Sequence, residues 1–496
     1  MKINKVLIAN RGEIACRIIK TCREMGINTV AVYSEADEYA LHVHLADEAI
    51  DIGPAPASES YLVHDNIIRA AQESGADAIH PGYGFLSENH EFNKKVRDAG
   101  LIFIGPEPEA MRVLGSKVES RIKMMESGVP VVPGMKSSEK NIDEFIKTAN
   151  EIGYPVLIKA SAGGGGKGMR IVKSPEDIEE AVNSAMRESQ SAFGSDEIFL
   201  EKYIESPRHI EIQVARDHHG NAVHFFEREC SIQRRHQKVI EETPSTALTD
   251  EKRKEMGEAA IKAVEAVNYD SVATVEFLFD KDSNFYFLEV NTRIQVEHPI
   301  TELVTNVDLV KLQIRIAEGN EIGIKQEEII QNGHALECRL YAEDPENNFM
   351  PSTGKIHFLS EPIGNGVRID SGIKEGDEIS VYYDPIMSKL ITWGRNREES
   401  ISRMDNALRN YVILGVKNPI PFMLKVIRDQ DFIDGNTLTD FIDKKPSLLE
   451  IDRNEFLNEI AYIASQVNNL KEQKISFNKN SDVWQEIGNW EICTGK

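Results

Sequence analysis

A largely apolar run from Phe285 to Val290 that reads as a buried strand carries Glu289 and runs on into Asn291, Arg293, Gln295 and Glu297, all at a spacing of two. If the extended conformation persists, period-2 alternation puts all five on one face. Carboxylates and an amide there supply hard oxygen ligands for a divalent cation. An arginine and a glutamate just beyond can hold and deprotonate a small anion. An edge strand with its polar face in water is the plain alternative, although exposed ion pairs would add little to it. Glu276 lies on the preceding strand, Thr274 to Phe279, which turns through Asp280-Lys-Asp-Ser-Asn284. Such a hairpin can set Glu276 beside Glu289, where two like charges call for a cation such as a magnesium that bridges nucleotide phosphates. The alternative is a pair on opposite faces, each solvated.

Four consecutive glycines, Gly163, Gly164, Gly165 and Gly166, precede Lys167-Gly168. A backbone without side chains can approach a phosphate closely and donate N–H groups to it, at a large entropic cost on ordering, so a mobile lid over a nucleotide fits. The run is not a Walker loop, which needs a glycine at Ser161 and a hydroxyl at Gly168, and a flexible surface hairpin remains open. Lys159 ends an apolar strand just before the glycines and Lys117 sits at a junction of patterns, so both can neutralise phosphates. A further strand, Ile198 to Tyr203, carries Glu201 and Lys202. His209, His236 and His298 match no zinc spacing. Hydrogen-bonding roles suit His209 and His236, and a structural role suits His298.

The elements that must carry these groups follow from periodicity. Residues 5–9, a helical pattern through Ile14, Ala15, Ile18, Ile19 and Cys22, and Thr29 to Tyr33 make a β-α-β opening. A parallel sheet continues through 76–79 and 101–104, with the turn His80-Pro-Gly82-Tyr-Gly84 at a strand's carboxyl end. The strong alternation over 209–240 predicts antiparallel strands, and a helix is expected at 251–267. Strands near 334–341, 366–370 and 388–393 and a helix at 397–409 form a third segment. The chain is thus read as α/β and α+β multidomain: 1–115, 116–330 with a lid at about 131–204, 331–447, and an extension from 448 to 496 with a helical segment near 453–470.

Across 496 residues, Lys and Arg number 57 against 81 Asp and Glu, a formal net charge of −24. That field makes nucleic acid a poor partner, so an anionic ligand must be drawn in by local basic groups. The five cysteines are scattered, and no apolar run reaches about 18 residues, which predicts a soluble cytoplasmic protein with reduced thiols.

Six motifs, in unbroken order over about residues 1–447, closely resemble the biotin carboxylases, which are ATP-grasp enzymes. They are Ile8-Ala-Asn-Arg-Gly-Glu13-Ile-Ala, His80-Pro-Gly-Tyr-Gly-Phe-Leu-Ser-Glu88-Asn, Lys159 with the glycine run, Glu229-Cys-Ser-Ile-Gln-Arg-Arg-His-Gln-Lys238, Glu289-Val-Asn-Thr-Arg-Ile-Gln-Val-Glu-His298 and Leu336-Glu-Cys-Arg339. The resemblance implies a Rossmann-like biotin carboxylase N-domain, an ATP-grasp domain with a glycine lid and a biotin carboxylase C-domain. It implies ATP contacts at Lys117, Lys159, Gly164, Gly165, Gly166, Glu201, Lys202, Ile204, His209, Gln233 and His236, with backbone at 201–204 reaching adenine. Magnesium or manganese falls to Glu276, Glu289 and Asn291. Bicarbonate falls to Lys238, Arg293, Gln295, Val296 and Glu297, with Glu297 as base, and Arg339 faces the biotin ureido ring.

The resemblance implies a carboxyltransferase and a second copy of the chain as partners; no Ala-Met-Lys-Met or Val-Met-Lys-Met acceptor sequence occurs here, so the biotin is expected on a separate biotin carboxyl carrier protein. Gly53-Pro-Ala-Pro-Ala-Ser-Glu-Ser-Tyr61 leans toward an acyl-CoA carboxylase for acetyl-CoA or propionyl-CoA, with a two-subunit pyruvate carboxylase as the alternative. Thr243, where alanine is frequent, is a minor departure. A carbamoyl-phosphate synthetase-like ligase would be expected to show a duplicated chain, and a silent regulatory subunit would be expected to lack Glu297 or Arg339.

Overall fold

The apolar runs at the amino terminus pair side by side in the computed structural model, which describes residues 2–135, 141–160, 169–235 and 237–450. Gly164, Gly165, Gly166, His236 and the expected helix near 453–470 lie outside them. Strands β1 (Lys5–Ile8), β2 (Asn28–Tyr33), β3 (Glu48–Asp51), β4 (Ala78–His80) and β5 (Ile102–Phe103) form a parallel sheet in the order β3-β2-β1-β4-β5. Alternation along β1 sends Leu7 to one core with Val30, Val32 and Ile79, and Val6 and Ile8 to another with Ile14, Ile18 and Cys22 of helix α1 (Gly12–Glu24). Both faces are covered, as parallel sheets require. β3 is the strand that the periodicity did not reveal, since three of its four residues are exposed and polar groups flank its apolar pair.

Beyond two helices, Pro108–Gly115 and Lys117–Glu126, comes a small three-stranded sheet within the expected lid. Its strands β6 (Val156–Ala160), β7 (Arg170–Val172) and β8 (Ile198–Lys202) run in the order β7-β6-β8 and pack on helices Ile142–Ile152 and Ile178–Phe193.

The main framework is an eight-stranded antiparallel sheet. It runs from β13 (Phe285–Asn291) through β12 (Val272–Phe279), β9 (Arg208–Arg216), β10 (Ala222–Arg234), β11 (Gln237–Thr243) and β14 (His334–Tyr341) to the strands Ile386–Gly394 and Val367–Ser371. The division read at 330 falls inside this framework, because β14 pairs with β11 in the register Ile240↔Cys338 and Glu241↔Glu337. Groups from the second and third segments therefore share one sheet face. Among the described residues, Cys16, Cys22, Cys230 and Cys338 are unpaired, and no helix is long and apolar enough to cross a membrane.

Phe277 anchors the β12-β13 hairpin, fully buried and edge-on to Phe285 and Phe287. Phe277→Ala is expected to lower stability by about 3–5 kcal/mol, read as a fall in the urea midpoint, because the cavity adds to the lost transfer energy.

Candidate active site

Strand β13 ends at Asn291, and the chain turns through 292–297 before the helix His298–Thr305 starts with Pro299 in its first turn. The single extended face expected for Glu289 to Glu297 therefore stops at Asn291. An extended continuation would carry Arg293, Gln295 and Glu297 away from the sheet; the turn instead folds Gln295 and Glu297 back onto Lys238 of β11.

Lys238 is the hub. Its Nζ donates to Glu211 Oε2 at 2.5 Å, Glu276 Oε1 at 2.7 Å, Glu297 Oε1 at 2.7 Å and Gln295 Oε1 at 3.3 Å. Glu211 and Glu297 are fully buried, and only 11% of the Lys238 side chain is exposed. Burial lowers the proton affinity of Lys238, but Glu211, Glu276 and Glu297 outweigh it and hold the ammonium well above the ordinary lysine range. Buried Arg228 donates to the other oxygen of Glu211 at 2.5 Å and to Gln213, Thr274 and Thr301. Arg339 on β14 spans Glu241 at 2.6 Å and Glu297 Oε2 at 2.9 Å. Burial alone would raise Glu297; Lys238, Arg339 and Arg228 overcome that and hold it well below the usual carboxylate range.

Glu276 and Glu289 stand directly opposite on β12 and β13, as the hairpin predicts. Glu276 is the more heavily bonded member: its Oε1 takes Asn291 Nδ2 at 2.9 Å and Gln295 Nε2 at 3.0 Å besides Lys238, while its Oε2 faces His209 Nε2 at 3.0 Å. Glu289 is exposed in the cleft, and crowding by protein raises its proton affinity, with Glu276 adding to the effect. Two opposed carboxylates with the Asn291 amide beside them fit a hard divalent cation. His209, Glu211 and Glu276 also come together closely enough to ligate a metal, but the Lys238 ammonium already lies between those two carboxylates as their cation.

Arg293 is held by Glu88 at 3.0 Å, donates to Asn291 Oδ1 at 2.9 Å and caps the Ile294 carbonyl at 3.2 Å. The Val296 carbonyl accepts from Lys389 at 3.0 Å. On the other side of the cleft, Lys159 is ion-paired with Glu201, which Arg121 approaches at 3.9 Å. Burial lowers the Lys117 ammonium, and Glu289 and Glu201 draw it up in part. Lys202 turns its ammonium to the Gly153 and Tyr154 carbonyls, both at 3.0 Å, which leaves backbone as its contribution to the cleft. Its amide is bonded to the Pro133 carbonyl, and half-buried Ile204 lies just past the end of β8. Gln233 bonds the Cys230 carbonyl at 3.2 Å and approaches His209 Nδ1 at 3.5 Å. His298 is structural as expected: buried, bonded through Nδ1 to the Gln295 carbonyl at 2.7 Å, and kept neutral by burial with Lys389 nearby.

Three family models match along the chain. "Biotin carboxylase, N-terminal domain" matches residues 2–111, "Carbamoyl-phosphate synthase L chain, ATP binding domain" matches 116–325, and "Biotin carboxylase C-terminal domain" matches 337–444. Biotin carboxylase 1 of Bacillus subtilis is 50% identical over 442 residues, which is 89% of this chain and 98% of that protein. The chain belongs to the biotin carboxylases. It is an ATP-dependent ligase that forms a carbon–nitrogen bond.

Other relatives are longer. The pig mitochondrial propionyl-CoA carboxylase alpha chain is 50% identical over 500 residues, covering 99% of this chain but 68% of that one. The rat mitochondrial methylcrotonoyl-CoA carboxylase subunit alpha is 52% identical over 442 residues, 89% of this chain and 62% of that one. Among solved structures, the biotin carboxylase domain dimer of Hydrogenobacter thermophilus 2-oxoglutarate carboxylase, in complex with MgADP, ADP and bicarbonate, superposes with a TM-score of 0.86 at 46% identity, covering 91% of this chain and all of that one.

For this biotin carboxylase, sequence reading missed the carboxylates and the arginine that hold the named groups. Glu211 and Arg228 carry the weight of Lys238, Glu241 carries Arg339, and Glu88 carries Arg293. Glu211 was findable, since it alternates with His209 and Gln213 on one strand. Glu88 and Glu241 were not, because their partners lie 205 and 98 residues away in sequence.

Burial pushes the Glu241 carboxyl from 4.5 up to about 7, with Arg339 opposing and Glu297 adding to the rise. The folded protein thus keeps a proton that the unfolded chain has released, so this group's stabilisation is full below about pH 4.5 and is lost as pH rises through about 7. Glu241→Gln is expected to flatten the fall of the thermal midpoint between about pH 5 and pH 7.5; an unchanged slope would refute the assignment.

Proposed function

We propose that this chain carboxylates biotin carried on a separate protein, as the biotin carboxylase subunit of an acyl-CoA carboxylase, with MgATP and bicarbonate as substrates. The observation that carries the reading is Glu297, ionised and gripped by Lys238 and Arg339, with Gln295 on the same ammonium and Arg293 two residues before Gln295 in the same turn. That arrangement suits a small anion that must be both held and deprotonated. Similarity to the pig and rat acyl-CoA carboxylase chains supports the choice of acceptor class.

Lys117 and Lys159 would neutralise nucleotide phosphates, and Gly164, Gly165, Gly166 and His236 would contribute to ATP binding as the family resemblance implies. The backbone from Glu201 to Ile204 would meet adenine, with His209 and Gln233 at its border. Glu276 and Glu289, with Asn291 alongside, would hold magnesium, which would neutralise phosphate charge. Arg293, Gln295, Val296 and Lys238 would hold bicarbonate in line with the γ-phosphorus. Glu297 takes the bicarbonate proton as an oxygen of the anion attacks phosphorus and the bond to ADP breaks. Because Lys238 and Arg339 lower the basicity of Glu297 at rest, the proton is expected to move as that bond forms, when the bicarbonate hydroxyl becomes acidic. Carboxyphosphate would then yield carbon dioxide and a phosphate that takes the biotin N–H proton, with Arg339 stabilising the ureido anion until it attacks carbon dioxide. A second copy of the chain, a carrier protein and a carboxyltransferase would complete the assembly.

The test uses the purified chain with free biotin, bicarbonate and MgATP. ADP release is expected to require bicarbonate and to be accelerated by biotin, and Glu297→Gln to reduce it about 10²–10⁴-fold, the range of a lost general base. Release that ignores either substrate, or that survives the substitution, rejects the reading. Glu289→Gln is expected to raise the magnesium concentration needed for half-maximal rate without changing the bicarbonate KM. With carrier and carboxyltransferase added, turnover of acetyl-CoA or propionyl-CoA is expected; turnover of pyruvate alone would move the chain to the pyruvate carboxylase reading.

A further inference from the structure

Lys389 lies on the strand Ile386–Gly394, paired directly with Arg339 of β14, and its side chain is fully buried. In an antiparallel pair such partners project from the same face. Arg339 grips the Glu297 carboxylate at 2.9 Å, and Lys389 donates to the Val296 carbonyl at 3.0 Å. Two cations on neighbouring strands therefore hold adjacent points of one turn. The Val296–Glu297 peptide is planar and trans, so fixing its carbonyl on Lys389 also fixes the direction of the Glu297 N–H, which points the opposite way.

The cation that does this is itself held from another part of the chain. Glu13, in the first turn of α1 and fully buried, faces the Lys389 ammonium at 3.0 Å. Among the described residues neither Glu13 oxygen has a donor in hydrogen-bonding geometry, so the ion pair with Lys389 is its one close charge contact there. The nearby Asp370 is 3.8 Å from Lys389 but already accepts two hydrogen bonds from Arg368, at 2.9 and 2.7 Å. Glu13 is thus the nearest ion-pair partner of Lys389; burial pushes its carboxyl from 4.5 up to about 7, and the Lys389 ammonium opposes that rise. The contact depends on close backbone packing: a Cβ at Gly372 would fall 2.3 Å from the Glu13 amide nitrogen, so only glycine lets the loop after the strand Val367–Ser371 rest on the start of α1.

We propose that Lys389 is a positioning residue for the anion pocket: held by Glu13, it locks the Val296–Glu297 peptide and so sets the angle at which Gln295, Val296 and Glu297 meet bicarbonate. The inference rests on the bicarbonate reading given above. The amino-terminal segment, the β13 turn and the carboxyl-terminal strands meet at this one ammonium, which makes the pocket's geometry depend on all three.

Bicarbonate- and ATP-dependence of ADP release by the full chain at saturating biotin tests this, with Lys389→Met, Glu13→Gln and Glu297→Gln compared. Lys389→Met is expected to raise the bicarbonate KM about tenfold or more, the loss typical of one charge-assisted hydrogen bond, while the ATP KM stays at the parent value. Glu13→Gln is expected to move the bicarbonate KM in the same direction by less. A folded Lys389→Met protein with the parent's bicarbonate KM overturns the proposal, and so does an equal rise in both KM values, which would mark general loosening. Should Lys389→Met fail to fold, Glu13→Gln decides by the same comparison. Glu297→Gln separates the two levels: if it leaves bicarbonate dependence intact the underlying reading falls, whereas if it abolishes that dependence while Lys389→Met matches the parent, only the role of Lys389 is lost.

Discussion

One ammonium among three carboxylates is the contact on which the site depends. Lys238 touches Glu211, Glu276 and Glu297 within 2.7 Å, and two of those acids have no exposure to water. Removing the cation would leave three acids that repel one another in a medium that screens poorly, so the arrangement exists only as a whole. Each acid then has a second holder: Arg228 for Glu211, His209 for Glu276 and Arg339 for Glu297. The network is costly to bury, and such a cost is commonly met at a functional site rather than in a stabilising core.

The same charges assign roles to chemically identical side chains. Glu297 sits between two cations and stays ionised. Glu289 has no such ion pair among the described residues; burial raises its proton affinity and Glu276 adds to the rise, with Lys117 and Lys238 opposing from farther away. Glu241 and Glu337 face each other across β11 and β14, and burial raises the proton affinity of both. An overall charge of −24 explains none of this. In the function proposed above, Lys238, Arg293 and Arg339 are the local cations that would admit an anion to an acidic protein.

The eight-stranded sheet makes that local arrangement possible. Lys238 on β11, Glu276 on β12, Glu211 on β9 and Arg339 on β14 come from strands of one antiparallel framework that crosses the division read at residue 330. Side chains two apart on each strand keep one face, and the turn at 292–297 drops onto that face from the end of β13. Small errors in that turn would move Glu297 relative to Lys238 and Arg339, and its backbone is tied by His298 at the Gln295 carbonyl and by Lys389 at the Val296 carbonyl.

The sequence by itself determined the alternation of apolar and polar positions, and that was enough for the β-α-β opening, the antiparallel middle segment, the β12-β13 hairpin and the opposition of Glu276 and Glu289. These depend on neighbours within about ten residues of chain, where periodicity and turn chemistry act. The chemistry-bearing residues were legible for a related reason, since charge that continues straight out of a buried strand has to be accounted for. Tertiary structure decided the rest. It bent the chain after Asn291, where alternation predicted a straight face, and it turned the Lys202 ammonium onto backbone carbonyls. It also supplied Glu88, Glu241 and Lys389 as holders from distant segments. A partner's charge is felt through space and not along the chain, so no local pattern records which carboxylate will reach which cation once the sheet has closed.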